Sequence, residues 1–275
     1  MRESWLMLFK RLSQPFAPYI LSLICFLSIF NISPLNAAMD SITTFETGGA
    51  SNSPGIADKN HLLIELIPMH YDSKFNGNKS YNYQLGFTKL RYGLIENKLE
   101  GRLTSAGLRL NEIDSGLSNI SLGTKIRLKD ESKYLPSAEI ITDWEIPVGE
   151  RDLRNPGFDH SYMLVMGKAF TKKFGSIINT TIDFSSFESS SNNTSAIVSA
   201  PLVFNLNYYV NPNLNVFSHL YGTVYFTEGI NNPLAMDLGA SYAITKDLVL
   251  ISWVSKGLNE AAPDMTIDLG LVLRL

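Results

Sequence analysis

The sequence predicts an all-β chain folded as a single transmembrane antiparallel up-and-down β-barrel of about 12 strands. Three observations predict it. Apolar and polar residues alternate with period two along runs too long for ordinary soluble strands. Short turns and longer polar connections take turns along the chain. The N-terminus has the composition of an export signal.

The N-terminal 37 residues form the first predicted segment. Arg2, Lys10 and Arg11 precede an apolar run over residues 19–30 (YILSLICFLSIF), and Leu35-Asn36-Ala37-Ala38 follows. A basic start, a short apolar middle and small residues at the end are the three parts of a secretory signal. Cleavage is expected after Ala37, with Ala38 as the second choice. The competing reading is a membrane anchor, but as a helix the run rises only about 18 Å against a hydrocarbon core of ~30 Å. The single cysteine, Cys25, lies inside the apolar run after the bulky Ile24 and reads as packing. The mature chain then has no thiol for a disulfide or a metal. With 23 basic against 26 acidic residues the chain is mildly acidic, which excludes nucleic acid as a partner class.

Residues 38–60 are polar and rich in Gly and Ser, and are expected as a flexible periplasmic N-terminal segment or a short segment inside the lumen. The barrel proper is expected over residues 61–275. Its clearest strand runs over residues 119–128, where Ile120, Leu122, Ile126 and Leu128 oppose Ser121, Lys125 and Arg127. In the next, Ile140, Trp144 and Ile146 oppose Glu139, Asp143 and Glu145; in the last, Ile267, Leu269, Leu271, Leu273 and Leu275 oppose Asp268 and Arg274. Such runs reach about ten residues, the length a tilted membrane strand needs, whereas strands of soluble proteins centre on about 5–6. Twelve runs are predicted, at about 61–71, 81–92, 98–106, 117–129, 136–148, 161–170, 175–186, 197–210, 214–227, 234–244, 248–256 and 265–275.

The turns at Ile95-Glu96-Asn97-Lys98-Leu99, Phe170-Thr171-Lys172-Lys173-Phe174, Val210-Asn211-Pro212-Asn213-Leu214 and Ile244-Thr245-Lys246-Asp247-Leu248 share one pattern, a polar trio between apolar residues. Longer polar stretches at 72–80, 149–160 and 187–196 lie between them. An even strand number puts both termini on the periplasmic side. Tyr81, Tyr83, Tyr92, Trp144, Tyr162, Tyr208, Tyr225, Tyr242 and Trp253 fall mostly near strand ends, as interfacial girdles do. The competing architecture is a periplasmic β-sandwich or lipocalin-like barrel with the apolar faces turned inward; period two alone does not separate the two.

Three segments carry a family resemblance. Arg91-Tyr92-Gly93-Leu94 with Leu99-Glu100, then residues 116–125 (GLSNISLGTK), then Ile146-Pro147-Val148-Gly149 resemble the outer-membrane transporter family of the phenol meta-cleavage pathway. Ser118, Asn119 and Val148 depart from its Gly, Asp and Thr. The resemblance implies a small outer-membrane barrel that passes small, often apolar compounds. That family's naming rests on gene neighbourhood, so phenol itself does not transfer.

If apolar faces meet lipid, Glu100, Arg102, Lys125, Arg127, Glu139, Asp143 and Glu145 line the lumen. They are expected as an ion-pair network bracing the wall, or as a charged constriction. Phe217, His219, Tyr221 and Tyr225 share one parity, which reads as a greasy track for an aromatic or acyl solute, or as packing against a plug. No catalytic, cofactor or metal pattern appears: His61, His70, His160 and His219 lie apart in sequence, and His160 and Ser161 diverge across a strand. The expected function is passive uptake of small, apolar or aromatic solutes, with no enzyme activity. The alternative is a structural or adhesive barrel acting through its loops. Expected partners are outer-membrane lipid, an unidentified small-molecule solute and the barrel-assembly machinery during insertion. Because the last strand ends in Leu275 and not in an aromatic residue, insertion signalling is expected to differ.

Overall fold

A computed structural model describes residue 46 and residues 50–74, 80–111, 115–150, 157–188 and 194–275. The predicted signal peptide, with most of residues 38–49, lies outside the described residues.

Each long alternating run forms a strand. In order these are β1 (Leu62–Lys74), β2 (Ser80–Ile95), β3 (Leu99–Ser105), β4 (Leu108–Asn111), β5 (Ser115–Leu117), β6 (Ile120–Lys129), β7 (Ser137–Ile146), β8 (Asp159–Ala169), β9 (Phe174–Glu188), β10 (Thr194–Asn211), β11 (Leu214–Tyr225), β12 (Leu234–Ala243), β13 (Leu248–Gly257) and β14 (Met265–Arg274). All pairings between these strands are antiparallel. The sheet closes because β1 pairs with β14 on one side and β2 on the other, so twelve strands form an up-and-down barrel. The seam continues to the last residue: Leu62 N donates to Leu275 O at 3.0 Å and Leu275 N to Leu62 O at 2.9 Å.

The faces settle what period two left open. Leu122 is 48 % exposed, Trp144 52 % and Leu238 63 %, whereas Glu100, Lys125 and Glu139 are each 0 %. Apolar side chains cover the outside and charges the inside, the reverse of a soluble sandwich. The lipid faces predicted for the strands at β6, β7 and β14 are the faces observed.

Two expectations change in detail. First, the stretch between the predicted third and fourth strands carries two additional short strands. Gly107 adopts a φ of 70°, which breaks the run, and β4 then pairs with the outer part of β2 while β5 folds back on β4. The predicted strand at 117–129 is therefore split at Ser118 and Asn119. Second, the alternation of connection lengths is imperfect. The connection at 130–136 belongs to the short-turn end yet is longer than the connection at 75–79. On the other end β9 and β10, at 15 and 18 residues, outrun the ~9–11 a membrane needs, so strand takes the place of loop there.

The turns with the shared pattern close as expected: Lys98 N donates to Ile95 O at 3.0 Å, Phe170 N to Phe174 O at 2.9 Å and Ile244 N to Leu248 O at 2.9 Å. Outside the opposite end, His160 stacks between Trp144 (5.8 Å) and Phe184 (4.8 Å), with Tyr162 edge-on, an aromatic patch of the kind found at membrane interfaces. Trp253 is not part of any girdle. It points inward, 7 % exposed, and packs with Phe217 in the interior.

Because closure keeps the barrel intact in detergent, an unboiled sample is expected to run as a compact band that shifts on boiling; one band at the same position in both would point to a soluble sandwich. Leu238→Arg, placing a charge on the lipid face of β12, is expected to lower the unfolding free energy in lipid by about 2–4 kcal/mol, read by denaturant titration in vesicles.

Candidate functional site

The site is the lumen, and its part nearest the short turns is occupied by the chain itself. Residues 50–58 run inside the barrel, with Ser51, Ser53, Pro54, Ile56 and Ala57 buried. Of the two positions considered for the N-terminal segment, the described part takes the lumen; it is not a free periplasmic lead-in. The physical reason is on the wall. Inward rows of cations on β2, β3 and β6 need acceptors, and a Gly- and Ser-rich backbone brings carbonyls close without bulk.

Lys125 Nζ donates to Ser53 O and Gly55 O, both at 2.6 Å, Arg91 Nη2 to Gly55 O at 2.9 Å and Arg127 Nη2 to Pro54 O at 2.7 Å. The wall also accepts: Ala57 N donates to Glu100 Oε2 at 2.7 Å. Asn179 meets the backbone of Asn52 as another peptide would, accepting from its N at 2.6 Å and donating to its O at 3.0 Å. At the short-turn end Lys59 forms a parallel bridge with Gly93. A Cβ at Gly93 would lie 2.0 Å from Asp58 O, so no other residue admits the segment there.

Glu46 is the hub. Its carboxylate meets Lys125 Nζ at 2.7 Å, Arg102 Nη1 at 2.8 Å, Lys89 Nζ at 3.2 Å and Arg91 Nη2 at 3.6 Å, and its side chain is fully buried. Arg91 in turn grips Glu100 with two bonds of 2.8 Å and Glu65 with one of 2.9 Å. Burial pushes the Glu46 carboxyl up, but Arg102, Arg91, Lys125 and Lys89 outweigh it and hold the group well below the ordinary carboxylate range.

A second anchor lies across the lumen. His219 Nδ1 stands 2.6 Å from Asp237 Oδ1, and Nε2 stands 3.0 Å from Ser51 Oγ and against the Asn205 amide. With the Nδ1 proton donated to Asp237, Nε2 accepts from the plug's hydroxyl. Hydroxyl, imidazole and carboxylate in line suggest acyl-transfer chemistry, but Ser51, His219 and Asp237 are 7 %, 1 % and 2 % exposed, so the relay serves as a latch.

The predicted lining residues separate into three groups. Glu100, Arg102 and Lys125 join the hub, with Arg127 and Glu139 (Nε to Oε1 3.2 Å) beside it and Asp143 standing 3.7 Å from Arg102 Nε at its rim. Glu145 stands apart, accepting from Asn119 Nδ2 at 2.7 Å nearer the long-connection end. Phe217, His219 and Tyr221 do face inward but form no greasy track. Phe217 is buried against Trp253 and the Gly239 backbone, His219 is spoken for, and Tyr221 donates to Ser255 Oγ at 2.9 Å. Sequence reasoning missed Glu46, Glu65, Lys89 and Arg91 as lining residues. Lys89 and Arg91, two cations at i, i+2, were a usable signal.

Since the Glu46 carboxyl is lowered, its contribution to holding the plug is complete above the ordinary carboxylate pKa and is lost only as pH falls through the lower, folded value. Hydrogen exchange of residues 50–58 is therefore expected to stay slow from pH 7 to pH 5 and to quicken only in stronger acid. Release of protection between pH 7 and pH 5 would show that another group holds the segment.

Among solved structures, the fold is similar to that of the NanC porin, with a TM-score of 0.56 at 10 % identity over 78 % of this chain and 100 % of that one. It is also similar to the translocator domain of the autotransporter NalP from Neisseria meningitidis, with a TM-score of 0.54 at 10 % identity over 80 % of this chain and 90 % of that one. No curated protein matches by sequence. The family match covers residues 47–275, taking in residues 50–58, the His219 anchor and every barrel strand but not Glu46, and on it the chain belongs to the MetA-pathway of phenol degradation family.

Proposed function

We propose that the protein is an outer-membrane channel for passive uptake of small solutes, with no enzyme activity, closed toward the periplasm by its own N-terminal segment. One observation carries the reading: a closed membrane barrel has a polar inner face whose cations, besides pairing with wall carboxylates, converge on the N-terminal segment through Glu46 and its backbone carbonyls. A barrel meant only as a scaffold has no need of such an arrangement, since apolar packing fills small barrels. The barrels it resembles in fold include a porin. Export by a signal peptide cleaved after Ala37, both termini in the periplasm and insertion by the barrel-assembly machinery complete the proposal. Mass spectrometry of the mature N-terminus tests the first of these.

Refolded protein in liposomes is expected to pass small solutes, and removal of residues 50–58 is expected to raise the flux several-fold. Vesicles that stay tight to ions and to small phenolics, with and without those residues, would overturn the channel reading in favour of a role for the outer loops.

A further inference from the structure

We infer that the pocket formed by Lys89, Arg91, Arg102 and Lys125 is a binding site for small organic carboxylates, held in the resting protein by Glu46 as an internal stand-in. The inference rests on the channel reading and narrows it to a substrate class.

Charge on the wall carries the case. Four cations face this part of the lumen, and among the described residues the barrel strands set three carboxylates against them: Glu65 and Glu100, both engaged by Arg91, and Asp143, 3.7 Å from Arg102 Nε. Glu46 belongs to no strand of the barrel. Its carboxylate receives contacts of 2.7, 2.8 and 3.2 Å from Lys125, Arg102 and Lys89, as a free carboxylate would. The site also has a loosely met donor, because the buried Arg102 Nε makes no hydrogen bond among the described residues and faces Asp143 Oδ1 only at 3.7 Å. Its rim is open on the side of the long connections: Asp143 beside Arg102 is 27 % exposed and Lys89 12 %.

Exchange explains the selectivity. A carboxylate that displaces Glu46 leaves the cations neutralised. A neutral solute of the same size leaves four cations against three wall carboxylates, with the desolvation cost uncompensated. Glu46 competes as a tethered ligand, at an effective concentration of about millimolar. Wild-type affinity for a free carboxylate is therefore masked, and removing the charge of Glu46 unmasks it.

The test uses benzoate and phenol, alike in size and different in charge, titrated calorimetrically into the full-length barrel in detergent. The wild type is expected to bind benzoate weakly and phenol not at all, Glu46→Gln to bind benzoate about tenfold tighter or more, and Arg102→Met to lose that gain. In planar bilayers Glu46→Gln is expected to shift the reversal potential toward the anion. Equal binding of phenol and benzoate by the wild type, or a folded Glu46→Gln no tighter than wild type, overturns the inference. Should Glu46→Gln fail the heat-shift test of folding, the wild-type comparison decides alone. Benzoate binding with no conductance in any variant would overturn the channel reading and leave the site standing.

Discussion

In hydrocarbon a backbone amide without a partner has no water to turn to, and every strand edge would be a row of them. The double pairing of β1, with β14 and with β2, removes the last open edge of the twelve-strand barrel. Everything else follows from that closure. Once the sheet is a cylinder, one set of alternate side chains must meet lipid and the other must meet itself or whatever enters the lumen.

What enters is the chain. A barrel of this size is neither small enough for its side chains to fill nor large enough to be simply a water channel. The wall of β2, β3 and β6 presents more cations than its own carboxylates balance, and the N-terminal segment supplies the rest as Glu46 and as the carbonyls of Ser53, Pro54 and Gly55. The residues behind the family resemblance are largely those that seat this segment. Arg91 and Glu100 form the doubly bonded pair, Gly93 admits the backbone of Asp58, and Lys125 caps two plug carbonyls. Asn119 instead joins Glu145 to the backbone of Gly149, which ties the other two motif segments together. A motif that reads as hairpin chemistry is, in space, mostly plug chemistry.

The same frame explains why the lumen is better described as two anchors than as a track. On β6 and β7 the inner face is ionic, and on β11 and β12 it is a hydrogen-bonded latch with Phe217 and Trp253 packed below. Inward aromatic residues at period two share a face, but whether they share a surface depends on their neighbours on the adjoining strands. Here Asp237 and Ser255 come between them.

Strand positions, lipid faces and the turns were legible in the chain itself, because a strand with lipid on one side and polar contents on the other must alternate, and alternation is written residue by residue. So were the inward charges of β3, β6 and β7. The partner of those charges was not legible. Glu46 lies in a polar stretch without periodicity, far in sequence from Arg102 and Lys125, and nothing local distinguishes a carboxylate in solvent from one at the centre of four cations. The bend at Gly107 and the inward turn of Trp253 were likewise decided by pairing across strands. Local pattern determines which way a side chain points; only closure of the barrel determines what it meets there.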